Sequence, residues 1–230
     1  MTLDLGVRLC HPCESPFLPP PPILHPPATP PAAEQRSSEI LASVRTAFAE
    51  KGFDGASMQD LARAAGMSVG NFYRYFPSKA AIVAALIAHD LAEMERDFAA
   101  VIAAPRPLEA LRRLLHLRIP EHQNCNDGKL WAEITAAAQR KPEIGEASCR
   151  MEAEILSYLT QVFAAETGLE PKASHEQFGA HAAFIIVLFK SSSMIAPGNP
   201  RLHGHLTELI LRSIDQTLDE ISASRPKVMT

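Results

Sequence analysis

The chain has 230 residues, 47% of them hydrophobic, enough to bury a core in one large domain or two small ones. Its 22 Lys and Arg against 26 Asp and Glu leave a formal charge of −4. That balance excludes a polybasic chain that coats nucleic acid by bulk charge, but it permits a local basic face. Neither end carries an apolar run of about 18 residues or a charged start with an apolar stretch and cleavage site. No membrane span or secretory signal is therefore expected. Four cysteines make no disulfide framework, and the expected location is the cytoplasm.

Ten of the 19 prolines lie between Pro12 and Pro31. Proline fixes φ and removes the amide donor, so residues 1–33 are expected to form an extended, disordered tail. From Glu34 the texture changes. Ile40, Leu41, Val44 and Phe48 recur at helical spacing, followed by Leu61 and Ala65, then Val83, Leu86, Ile87, Leu91, Met94 and Phe98. No sustained period-two pattern appears. Breaks fall at Gly52, Gly66, Pro77, Pro105 to Pro107, Pro120, Pro142, Gly168 to Pro171 and Pro197 to Pro200. Counting between them predicts an all-α protein of about nine helices, three short and six longer, with a tail at 224–230.

Residues 57–76 carry the most information. The pattern predicts a short helix over Met58–Ala65, ended by Gly66 in the left-handed conformation. Ser68 then caps a second short helix over 69–76, with Ser57 and Ser78 as further N-cap candidates. Two helices joined so tightly cross steeply, which suits small Ala62 at the contact and Met67, Phe72 and Phe76 as filling. This is helix-turn-helix logic, in which the N-terminal end of the second helix enters the DNA major groove. Val69, Gly70 and Asn71 suit that end: valine for a thymine methyl, glycine for close approach, asparagine for adenine. Tyr73, Arg74, Tyr75 and Lys79 suit phosphate oxygens. Between Leu61 and His89 stand three cations, Arg63, Arg74 and Lys79, and no acid. The same tyrosines and cations also fit an ordinary half-buried helix surface.

The stretch from Arg36 to Ile87 resembles the N-terminal domain of the tetracycline-repressor (TetR) family of bacterial transcription regulators. The matching residues are Arg36, Ile40-Leu41, Phe48 to Phe53, Ser57, Asp60-Leu61-Ala62, Ala65 to Ser68, Gly70, and the run from Phe72 to Lys79. The resemblance implies a three-helix DNA-binding domain over 34–79, with Ser57, Tyr73 and Lys79 on phosphates beside Ser68, Val69, Gly70, Asn71, Arg74 and Tyr75. It implies a six-helix ligand-binding and dimerisation domain over 80–223.

Independently, the sequence predicts a long helix over 80–104, then helices at about 107–119, 127–140, 144–167, 174–194 and 202–223. Phe184 to Phe189 is apolar all round, so its helix is either a monomer's central core or covered by a second chain. Family resemblance favours a homodimer through 174–194 and 202–223. Met94, Phe98, Leu115, Trp131, Tyr158 and Phe163 are candidates for lining an effector pocket. Among His116, Arg118, Glu121, His122, Glu133 and His181, as candidate polar contacts, His181 is the one kept with that set.

Cys10-His-Pro-Cys13 has redox or metal spacing but lies in the proline tail, so no metal site or cofactor is expected. No phosphate loop, nucleophile elbow or zinc-protease motif appears, and no catalytic residue is expected. The sequence reads as a nucleoid-associated, DNA-binding transcription regulator, a repressor released from a palindromic operator by an unidentified small molecule. Two other readings stay open: an effector-less structural nucleoid protein, and a helical enzyme or ligand carrier.

Overall fold

A computed structural model describes residues 31–124, 127–194 and 199–224, less the side chains of 31–35, 124 and 127. Among these residues there are nine helices and no strand: α1 (Pro31–Lys51), α2 (Met58–Ala64), α3 (Val69–Tyr75), α4 (Lys79–Ile102), α5 (Pro107–Asn124), α6 (Asp127–Ala138), α7 (Pro142–Thr167), α8 (Pro171–Met194) and α9 (Pro200–Ala223). The Cys10–Cys13 motif and most of the expected tail lie outside the described residues.

Five of these helices begin on a proline, at Pro31, Pro107, Pro142, Pro171 and Pro200. At the first helical position the missing N–H had no intrahelical partner in any case, and the fixed φ already suits the helix. The expected starts at 144, 174 and 202 therefore move back two or three residues. The first helix starts inside the span assigned to the tail, and at 21 residues it leaves only α2 and α3 short. Pro120, an expected break, does not end α5, which runs through it to Asn124. Buried Ile119 on one side and His122, stacked 4.8 Å from the Phe189 ring, on the other hold the helix past the proline. α6 ends at Ala138 and α4 at Ile102, each two residues short of expectation.

From Ser37 onward the helices form one unit with two apolar clusters. The first gathers Ile40, Val44, Phe48, Leu61, Phe72 and the start of α4, together with Leu130, Ile134, Ile144 and Ala147 from α6 and α7. It thus spans both sides of residue 80. The second joins Phe98, Leu111, Leu115, Phe163, Phe178, Ile185, Ile214 and Leu218. Gly128 brings α6 directly onto the end of α8: a Cβ there would lie 2.2 Å from the Ser193 carbonyl oxygen. Polar ties set the register of the body. Arg112 on α5 meets Asp215 at 2.7 Å and Asp219 at 2.5 Å on α9, and Arg118 meets Asp97 on α4 at 2.6 Å.

Candidate nucleic-acid interface

Each short helix is started and stopped by its own residues. Ser57 caps α2: its hydroxyl accepts from the Asp60 N–H at 3.1 Å, and the Asp60 carboxylate accepts from the Ser57 N–H at 3.0 Å. Lys51 donates to Asp60 at 2.5 Å, and that bond, with those from Ser57, holds the Asp60 carboxyl far below the usual carboxylate range. Gly66 stops the helix at φ +63, while the Met67 N–H donates back to the Ala62 carbonyl at 2.9 Å. The Ser68 hydroxyl then accepts from the Asn71 N–H at 3.3 Å and starts α3.

Along α3 only Phe72 is fully buried, and its ring packs 5.3 Å from that of Phe76, the residue that caps the helix. Ala62 is fully buried on α2, at the expected crossing. The remaining side of α3 is open. Val69, Gly70, Asn71 and Arg74 are exposed, Tyr73 is 47% exposed and Tyr75 59%. A Cβ at Gly70 would meet nothing within 4 Å, so nothing in the chain itself crowds that position. Ser57 and Ser68 lie exposed at the two helix starts. Lys79 differs from the others. Its ammonium donates to the carbonyls of Phe53 at 2.7 Å and Asp54 at 3.1 Å, and lies 5.1 Å from the Phe53 ring centre.

The pocket candidates are not gathered at one place. Phe98 and Tyr158 stack at 5.3 Å, and Met94, Leu115 and Phe163 share their cluster. Burial, with Glu95 and Glu154 nearby, pushes the Tyr158 phenol above its ordinary range. Trp131 packs against the other cluster, with residues of α1 to α3. His181 meets the Phe178 ring edge-on and lines an open groove of about 380 Å³ between α8 and α9, beside Phe184 and Glu220. Of the polar candidates, His116 pairs with Asp215 at 3.0 Å, and Arg118 with Asp97 and Glu121.

Two clusters were not anticipated. On α4, His89, Asp90 and Glu93 bring one potential ligand atom each within 4.8 Å. Arg45 already holds Asp90 and Ser38 meets His89, so a cation there would compete with a guanidinium. On α6, Glu133 accepts from the Phe53 N–H at 2.9 Å, and Arg140, just past the helix, meets Asp54 at 2.9 Å. No sequence pattern announces bonds across 80 and 86 positions.

Residues 40–86 match the family model described as bacterial regulatory proteins, tetR family. The HTH-type transcriptional regulator EthR of Mycolicibacterium smegmatis is 38% identical over 85 residues, which are 36% of this chain and 39% of that protein. Salmonella enterica GusR superposes with a TM-score of 0.63 at 20% identity, covering 86% of this chain and 98% of that one. The transcriptional regulator FadR of Bacillus subtilis, solved in complex with stearoyl-CoA, superposes with a TM-score of 0.59 at 14% identity, covering 81% and 98%. At these identities the two superpositions speak for the fold. No helix among the described residues is long and apolar enough to cross a membrane. From α1 into α4, the chain thus carries a segment similar to the tetR family of bacterial regulatory proteins.

Proposed function

We propose that the protein is a homodimeric, sequence-specific transcription regulator of the cytoplasm, a repressor that leaves a palindromic operator when a small apolar or amphipathic molecule binds its body. The carrying observation is the one-sidedness of α3, which buries Phe72 and turns Val69, Gly70, Asn71, Tyr73, Arg74 and Tyr75 to solvent behind a capped start. A helix that spends one aromatic on the core and keeps its first turn open is built to enter a groove. Ser57, Ser68 and Lys79 stand at the neighbouring helix starts, where phosphates bind.

The dimer reading rests on α8 and α9. Phe184 and Val187 on α8, and Leu202 and Leu209 on α9, are exposed in the single chain, with Val187 at 57% and Leu209 at 54%. A second copy related by a two-fold axis would cover them and set two recognition helices at a fixed separation. An effector packing against α4 near Met94 and Phe98 would tilt that helix, which starts two residues after Pro77, and spoil that separation. Linkage then requires the effector to bind DNA-free protein more tightly than the complex by the factor through which it weakens DNA binding.

Sequencing the genomic DNA retrieved by the purified chain tests the reading. Enrichment of a few sites sharing an inverted repeat is the expected result. Retrieval without sequence preference would favour a structural nucleoid protein, and no retrieval at all would overturn DNA binding.

A further inference from the structure

We propose that Glu133, a residue of the body, is a positioning residue for DNA binding, acting through Phe53 and Asp54 on Lys79. The inference rests on the DNA-binding reading above and adds a route by which the body sets that interface.

Two successive residues of the turn between α1 and α2 are gripped from opposite sides. From α6, the Glu133 carboxylate takes the Phe53 N–H at 2.9 Å. From the turn after α6, Arg140 meets the Asp54 carboxylate at 2.9 Å and Lys141 at 3.4 Å. These pairs, Arg140 first, hold the Asp54 carboxyl below its ordinary range. From α4, Lys79 takes the carbonyls of the same two residues. Phe53 is thus a one-residue strut, with its N–H on α6 and its C=O on the first residue of α4.

The approach is built into the backbone. Gly52 sits at φ +73, and a Cβ there would lie 3.0 Å from the Glu133 carboxylate. Any other residue at that position would both strain the turn and push Glu133 away. Phe53 itself cannot yield, being buried and stacked 5.5 Å from Phe48. Lys79 spends two of its three ammonium protons on the carbonyls of this turn and keeps one for a phosphate. Its reach toward DNA is therefore set where the turn is set, and α6 sets the turn. A displacement of α6 is delivered to Lys79 and to the start of α4, immediately after the recognition helix.

Charge gives the test its sign. Deleting an acid from a DNA-binding protein strengthens binding if the acid acts only through its field, because DNA is an anion. Positioning gives the opposite sign. The probe is a duplex enriched from a random library by the full wild-type chain; enrichment of nothing would overturn the DNA-binding reading, and this inference with it. With that duplex in hand, Glu133→Ala is expected to bind roughly 5- to 20-fold more weakly. Its salt dependence should flatten as it does in Lys79→Ala, and the double variant should fall well short of the product of the two losses. Glu133→Gln, which keeps an acceptor oxygen, should recover most of the affinity. Unchanged or tighter binding by a folded Glu133→Ala, or multiplicative losses in the double variant, would overturn the proposal. Should Glu133→Ala not fold, Asp54→Asn reports instead, since that side chain is 56% exposed and also loses an acid. Weaker binding, non-multiplicative with Lys79→Ala, supports the proposal, and unchanged or tighter binding sinks it.

Discussion

The end built on α2 and α3 and the body of this protein are both helical but are organised on different scales. At the front, every residue proposed to touch DNA falls within residues 57–79, and the starts of α2 and α3 and the stop of α2 are set by near neighbours: Ser57 by Asp60, Gly66 by Arg63, Ser68 by Asn71. In the body, the residues that meet come from far apart, as Arg112 meets Asp215 and Arg118 meets Asp97. Local caps fix where α2 and α3 start, while Lys79 is held by a turn that α6 also grips. Long-range packing makes a body whose contacts depend on how whole helices sit against one another, which is what the proposed effector response would need.

The comparison is broken most severely by cutting each core. Phe72→Ala and Phe163→Ala both remove a fully buried ring and are each expected to cost about 3–5 kcal/mol in denaturant unfolding. Because the first cluster reaches into α6 and α7, Phe72→Ala should lower the stability of the whole described unit. An unaltered main transition beside a separately melted front would show that the two ends unfold independently.

Next in size, Val187→Glu should convert dimer to monomer with the helical signal intact. Two-fold symmetry would bury the new charge twice, a loss of about 3 kcal/mol or roughly 100-fold in dimer affinity. Sedimentation at micromolar concentration reads this directly, and a dimer that persists would place the contact elsewhere. Asn71→Ala, at an exposed position, should leave stability alone and lose about 1–3 kcal/mol of discrimination at one base position per half-site. A selection on randomised DNA that returns the wild-type site unchanged would remove Asn71 from the base readers.

The smallest effect sharpens the local end. Asp60 has a folded pKa below its unfolded value of about 3.9, so its stabilising contribution is present above that value and fades as pH falls through the folded one. Asp60→Asn should therefore lower the melting temperature at pH 7, and the gap from wild type should close as pH drops below about 4. A gap independent of pH would mean that the cap works without its charge.

Legibility in the sequence follows the same division. Ser57, Ser68 and Ser78 cap the helices they precede, and Gly66 takes the positive φ expected of it, because caps and turns are decided within four residues. Prolines were legible as boundaries but not as to which side the helix lay on. Pro142, Pro171 and Pro200 stand at helix starts, where the lost N–H costs nothing, whereas Pro120 sits inside a helix held by Ile119 and His122.

What the sequence determined by itself was the outward side of α3, since that helix is set by its Ser68 cap, by Gly66 ending the helix before it, and by one buried phenylalanine. What the tertiary structure decided was which distant residues meet. It sent Trp131 into the first cluster, with Phe48 and Phe72, while Phe98 and Tyr158 stacked in the other, and it set Glu133 on the Phe53 amide, 80 positions away. Helical periodicity says which side of a helix is buried but not against which partner. That choice belongs to the packing of the whole chain, where a carboxylate goes wherever a buried N–H needs an acceptor.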